Sequence, residues 1–224
     1  MKEPQMKIGI IGAGFIGGTL TRKLRALGHE VRVSNSRAPE TLAELAAESG
    51  AVATWAGEAA KGADLVIISI PQKNVPQLAS DVLAGANPGV VVIETNNYYP
   101  KERDGLIAEI EDGLPESLWV SKHLGVPVYK AFNGIWWKHL RDKSKGADRP
   151  DRIALPIAGE DGPAKDIVFA LISELGFEPI DGGALEESWR QQPGTPVYGK
   201  DFGRVDALEA LAQAPTERPE AFRA

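Results

Sequence analysis

A short apolar run, Lys7 to Ile11, ends in Gly12-Ala13-Gly14-Phe15-Ile16-Gly17, and apolar residues at helical spacing (Ile16, Leu20, Leu24, Leu27) follow at once. Three glycines spaced two and then three residues apart, between a strand and a helix, tightly restrict what the chain can become. The first permits a sharp turn, the second bares the backbone, and the third lets the helix pack close to the strand. Gly28 then supplies a helix stop. A helix that begins in this way presents free N–H groups and a positive dipole end, which suit a diphosphate. The alternative is a glycine-rich turn that holds nothing. A second strand arriving on schedule, Glu30 to Ser34, favours the diphosphate.

The alternation continues. Pro39 to Ser49 reads as a helix with Leu42, Leu45 and Ala46 on one face. Asp64 to Ile70 is an apolar strand closed by Pro71, Val75 to Leu83 a helix, and Val90 to Glu94 a strand. Val128 to Phe132 and Ile153 to Ala158 are further strands, Pro163 to Leu175 is a helix, and Phe177 to Ile180 is a short strand. Apolar strands separated by helices indicate an α/β fold of the Rossmann type, doubly wound around a mostly parallel sheet. The expected division is a dinucleotide-binding domain over residues 1–185 and a C-terminal extension over 186–224, which serves the cleft or a dimer contact. Lys138 to Asp151 is charged and aperiodic, so it reads as a solvated loop, or else as a lid that attracts an anion. The polar stretch after Ala212 reads as frayed.

Composition narrows the function classes. The chain has 224 residues, no cysteine and a formal charge of −6. It therefore has no disulfide framework, thiol nucleophile or Cys-based metal site. His29, His123 and His139 lack metal-ligand spacing, so no metal is expected. The acidic balance argues against a nucleic-acid partner. No apolar run approaches the ~20 residues of a membrane span. The polar start, Met1-Lys2-Glu3-Pro4-Gln5, lacks the apolar core of a secretory signal, so a cytoplasmic location is expected.

The end of the second strand speaks to the choice of dinucleotide. A site for NAD usually places a carboxylate there to hold the ribose hydroxyls. This chain has Ser34-Asn35-Ser36-Arg37 instead. Nothing in it repels a 2′-phosphate, Asn35 and Ser36 can donate hydrogen bonds, and Arg37 can pair with the phosphate or stack on adenine. The chemistry suits NADP(H); the plainer reading leaves Arg37 as a solvent-facing residue ahead of the next helix. Asn96, in Asn96-Asn97-Tyr98-Tyr99-Pro100 beyond the strand ending at Glu94, stands where open α/β sheets bind ligands. It can bond the nicotinamide ribose or amide, or simply form a turn.

The glycine loop, Asn35-Ser36-Arg37, Ile70-Pro71, Lys130-Ala131-Phe132-Asn133, Leu155 to Asp161 and Leu175-Gly176-Phe177 together resemble the F420-dependent NADP oxidoreductase family, which includes NADPH-dependent reductases of coenzyme F420. The resemblance runs over roughly Lys7 to Leu185. It implies NADP contacts from Ala13 to Ile16, from Ser36 and Arg37, around Ile70 and Pro71, and from Ala131; Asn133 of the same segment joins the candidate set. It also implies a flavin-like or deazaflavin ring (F420 or a flavin) as small-molecule electron acceptor, and a homodimer. Where that family usually continues with Thr and a small or aliphatic residue after Lys-Ala-Phe-Asn, this chain has Gly134-Ile135-Trp136-Trp137.

Hydride transfer between two such rings asks little of side chains beyond stacking and distance. A reductase of a small carbonyl or imine needs a proton donor, for which Lys122, His123, Lys130 and His139 are candidates. Lys130 is expected either to be buried and paired or to reach solvent from a strand end. Of the two adjacent indoles, one is expected in the core and the other at the cleft or an oligomer interface. A third reading, an NADPH sensor without turnover, has Trp136 or Trp137 closing the second-ligand cleft.

Overall fold

The computed structural model describes residues 5–224; Met1 to Pro4, part of the polar start, lie outside the described residues. Five strands form on or inside the expected limits: β1 (Lys7–Ile11), β2 (Glu30–Ser34), β4 (Leu65–Ile68), β5 (Val91–Glu94) and β6 (Tyr129–Lys130). A two-residue β3 (Val52–Ala53) joins them. All pair in parallel, in the order β3-β2-β1-β4-β5-β6. This is the Rossmann strand order, and the direction of winding reverses between β1 and β4.

Period-two burial explains why the sheet is covered on both faces. Ile8 and Ile10 of β1, Leu65 and Ile67 of β4, and Val91 and Ile93 of β5 enter one apolar cluster. Ile11, Val66, Ile68 and Val92 enter the opposite one. The first face is covered by α1 (Phe15–Leu27), through Leu20 and Leu24, with α2 (Ala43–Ser49) beside it through Leu45. The second takes α3 (Ala56–Ala59). Burying a fully apolar strand on both faces is the driving force for such a sheet, at roughly 25 cal/mol per Å² removed from water.

Short α4 (Ala108–Glu111) and α5 (Glu116–Leu124) lead into β6, and α6 (Trp137–Asp142) follows it. A second, two-stranded parallel sheet of β7 (Ala154–Ile157) and β8 (Glu178–Asp181) is joined to the first by an antiparallel bridge between Lys130 and Ala158. Between these strands runs α7 (Pro163–Glu174), whose Val168, Leu171 and Ile172 pack into the first cluster. Near the C-terminus, α8 (Arg204–Ala212) closes over β7 and β8 through Ala207, Ala210 and Leu211. No helix among the described residues is long and apolar enough to cross a membrane.

Four expectations need correction. Val75 to Leu83 is not an α-helix; a 3-10 segment, Gln72–Gln77, gives way to turns, because Pro76 supplies no N–H and crowds the preceding turn. The strand expected over Val128 to Phe132 pairs only at Tyr129 and Lys130, since Phe132 takes φ +61° and turns the chain out of the sheet. Lys138 to Asp151 is not all loop: its start belongs to α6, and Lys145 and Arg149 both pair with Asp151. Those cations hold the Asp151 carboxyl well below the usual carboxylate range and are not free for a ligand. The stretch after Ala212 is not frayed, because Arg218 is drawn into the interior, as described next.

Candidate functional site

The glycine loop has the geometry its spacing requires. Gly12 sits at φ +110°, and a Cβ there would stand 2.1 Å from the Ser69 carbonyl oxygen. A Cβ on Gly17 would lie 1.9 Å from the Gly12 carbonyl oxygen, so the helix meets the strand only through a bare backbone. Gly14 differs: a Cβ there would meet nothing within 4 Å. It is the N-cap of α1, whose first turn carries no acidic side chain. Bare backbone, free N–H groups and open space therefore coincide at Gly14, Phe15 and Ile16, the arrangement an anion needs. A cavity of about 440 Å³ adjoins it, lined by Ala13, Gly14, Phe15, Arg22, Thr41 and Trp137 among others.

Beyond β2, Asn35 Oδ1 accepts from the Arg37 backbone N–H at 2.8 Å, and Asn35 Nδ2 donates to Thr41 Oγ1 at 3.0 Å. The Asn35 side chain thus fixes the turn, and Ser36 and Arg37 stand exposed at its tip with no competing carboxylate bonded to the guanidinium.

The loops after β4, β5 and β6 close on one another at the same edge of the sheet. The Ile70 N–H donates to Asn96 Oδ1 at 3.2 Å, and Thr95 Oγ1 donates to Ser69 Oγ at 2.9 Å. Pro71 starts the 3-10 segment that leads away. Asn96 is buried, and its Nδ2 has no hydrogen-bond partner among the described residues. Ala131 is fully buried, and its N–H donates to the Glu94 carbonyl at 3.2 Å. Asn133 is buried too: its Nδ2 donates to Asn97 Oδ1 and the Gln191 carbonyl, while its Oδ1 accepts from Gln191 Nε2. The fourteen candidates therefore share one edge of the sheet, but Gly12, Gly17, Asn96, Ala131 and Asn133 lie beneath its surface.

Under that edge lies a buried ionic cluster. Lys130 Nζ stands 3.2 Å from Glu94 Oε1 and 3.8 Å from Glu116 Oε2, and it donates to the Asn96 carbonyl at 3.0 Å; none of the three charged side chains is exposed. Lys130 is thus the buried, paired lysine, sealed from any substrate. Ser117 donates to Glu94, and the Asn96 N–H donates to Glu94 Oε2 at 2.8 Å. Arg218 Nη2 reaches Glu116 Oε1 at 2.7 Å. Burial pushes the Glu116 carboxyl up, against the pull of Lys130 and Arg218.

The other proton-donor candidates are engaged elsewhere. Lys122 pairs with Glu109, His123 Nδ1 contacts the Trp119 carbonyl, and His139 Nδ1 lies 2.8 Å from Asp201. Neither indole is in the core, which corrects the expectation for that pair. Trp137 stacks on Phe15 at 4.9 Å and 10°, and Trp136 is exposed with Lys138 over its ring. The cause is local: α6 begins at Trp137 and is laid along the start of α1, which leaves Trp136 at the cap.

Sequence reasoning missed two tyrosines. Tyr99 and Tyr198 share a short hydroxyl–hydroxyl contact, and Asn97 Nδ2 donates to the Tyr198 oxygen at 3.2 Å. The Asn-Asn-Tyr-Tyr run hinted at Tyr99; no local signal ties it to Tyr198, 99 residues away.

Comparison with known proteins agrees with this geometry. Residues 7–98 match the family model for coenzyme F420-dependent NADP oxidoreductases. Protein YjhV of Escherichia coli (strain K12) is 38% identical over 63 residues, 28% of this chain; the match spans 46%, less than half, of that relative. Protein SMa0349 of Sinorhizobium meliloti superposes with a TM-score of 0.73 at 26% identity, over 89% of this chain and 96% of that one. A protein of Arthrobacter sp. FB24, whose suggested identity is an F420-dependent NADP reductase, gives 0.64 at 20% identity, over 80% and 86%. The last similarity speaks for the fold alone. The β1-to-β5 segment that carries the glycine loop is thus similar to the coenzyme F420-dependent NADP oxidoreductases, over less than half of the chain.

Proposed function

We propose that this protein is an NADP(H)-dependent oxidoreductase that passes hydride between NADPH and a flavin-like or deazaflavin (F420) acceptor. The observation that carries the reading is the open space at Gly14, set at the N-terminus of α1 between an exposed arginine beyond β2 and a polar mouth beyond β4 and β5. The diphosphate fits the helix end, Ser36 and Arg37 answer the 2′-phosphate, and the order β2-β1-β4-β5 runs the dinucleotide from adenosine to nicotinamide. When bound, the two rings supply and accept the hydride; the chain's own task is to hold them close and exclude water. The neutral groups at the mouth support this, since hydride transfer between rings needs no titrating side chain.

Reduction of a small carbonyl or imine finds less support. Lys130 is sealed in its ion cluster, and Lys122, His123 and His139 are bonded to Glu109, the Trp119 carbonyl and Asp201. The sensor reading finds little support as well, since Trp137 lies against Phe15 at the start of α1 and Trp136 is exposed. We take the chain to act in the cytoplasm as a homodimer; a monomer in sedimentation would remove the second part.

The deciding assay is NADPH oxidation against F420, FMN, FAD and a panel of carbonyls and imines. Turnover with a ring acceptor is expected, and turnover confined to the panel would overturn the reading. Replacing Arg37 with alanine is expected to weaken NADPH about tenfold to 100-fold, the size of one lost charge-assisted contact of about 1.5–3 kcal/mol. NADH affinity should change less than twofold (about 0.4 kcal/mol). Titration of both dinucleotides by fluorescence checks this, and equal losses would remove the 2′-phosphate role.

A further inference from the structure

Tyr99 and Tyr198 hold a hydrogen atom the protein does not use. Two phenols carry two hydroxyl hydrogens. One lies in their shared contact, and Asn97 Nδ2 occupies an acceptor position on Tyr198. Among the described residues no protein acceptor takes the second hydrogen, whichever tyrosine bears it. Both residues are only half-buried.

The pair is also built into place. The Tyr99 N–H donates to Asp104 Oδ2 at 2.8 Å, at the start of a single π-helical turn, Pro100–Asp104, and Arg103 lies over the Tyr99 ring at 5.2 Å. Tyr198 is held by its neighbour, whose Gly199 N–H donates to the Gly134 carbonyl at 3.0 Å. Asn97 Nδ2 also donates to the Asn133 carbonyl at 2.9 Å. The hydroxyls thus stand where the loops after β5 and β6 meet, one step past the strand ends that would hold the nicotinamide. Beyond the nicotinamide is where its reaction partner must lie.

We propose that the Tyr99–Tyr198 pair is the hydrogen-bond donor for a ring carbonyl of the electron acceptor, and so sets its orientation and affinity. The inference rests on the acceptor reading above and names how this site recognises that class of molecule. Burial, with Tyr99 and Glu116 nearby, pushes the Tyr198 phenol up against the pull of Arg103. Tyr198 therefore stays neutral, and so able to donate, across the working pH range. It orients the acceptor and does not shuttle protons.

The test uses the full chain with Tyr99→Phe, Tyr198→Phe and the two combined, with NADPH, and F420, FMN or FAD as acceptor. For the acceptor that the wild type reduces, KM is expected to rise about tenfold in the double variant, the loss of one net hydrogen bond, and less in either single variant, where the remaining phenol still has a hydrogen to give. The NADPH dissociation constant and melting temperature should stay near wild type. The wild-type acceptor KM should be flat from about pH 6 to 9, below the range in which an ordinary phenol ionises. An acceptor KM unchanged in the double variant, with wild-type turnover intact, overturns the assignment and leaves the acceptor reading standing. A fall in NADPH affinity or in melting temperature that matches the KM change overturns it too, since the pair would then serve the dinucleotide or the fold. Wild-type turnover with none of the three acceptors overturns both inference and reading.

Discussion

Replacing Gly14 with valine is expected to lower NADPH affinity about 100-fold, or about 3 kcal/mol, while the protein stays folded. The two halves of that result have separate causes. Gly14 has φ −72°, which any L-residue adopts, and a Cβ there meets no protein atom within 4 Å. The isopropyl group therefore disturbs only the N-cap, at a cost of about 1 kcal/mol or less. It does fill the volume a diphosphate must enter and blocks approach to the N–H groups of α1. Gly12→Ala is the control with the opposite signature. Its Cβ would stand 2.1 Å from the Ser69 carbonyl oxygen in a left-handed backbone, so fold and binding should fail together. Calorimetric titration with NADPH and a thermal melt of each variant separate the two. Valine at position 14 with wild-type affinity would remove the loop from the site.

The largest expected effect on stability is at Lys130. Lys130→Met leaves Glu94 and Glu116 fully buried without their shared ammonium, and it removes the donor to the Asn96 carbonyl. Removing one partner from a buried ion pair costs about 3–5 kcal/mol. In a chain of this size 1 kcal/mol moves the melting temperature by about 2–4 °C, so a fall of about 10 °C is expected at neutral pH. Adding Glu94→Gln should recover part of it, since a neutral amide needs no counter-charge. A melt within about 2 °C of wild type would mean that water or rearrangement compensates the carboxylates.

Much of the fold was legible because the forces that fix it are local and periodic. β1, α1 and β2 carry period-two burial, a helical stripe and a glycine stop, and the structure places all three on the expected residues. The glycine loop was legible for the same reason: its three roles follow from a spacing. One misreading was local, and the others depend on atoms far apart in sequence. Val75 to Leu83 has an apolar stripe, but Pro76 decides the local structure. Arg218 looked like one charge in a polar tail, and only Glu116, 102 residues earlier, makes it part of the interior. Lys130 read equally well as buried or exposed until Glu94 and Glu116 were seen to converge on it. The Tyr99–Tyr198 contact is likewise a product of topology, since the loop after β5 meets the segment before α8 only once both sheets are in place.

The same long reach shapes how the chain is made. During synthesis β5, α5 and β6 leave the ribosome with two interior carboxylates facing one ammonium, and the second cation, Arg218, emerges close to a hundred residues later. Until then Glu116 has only Lys130 as a counter-charge, at 3.8 Å. Arg218 thus works as a latch that engages late and ties the stretch after α8 to α5.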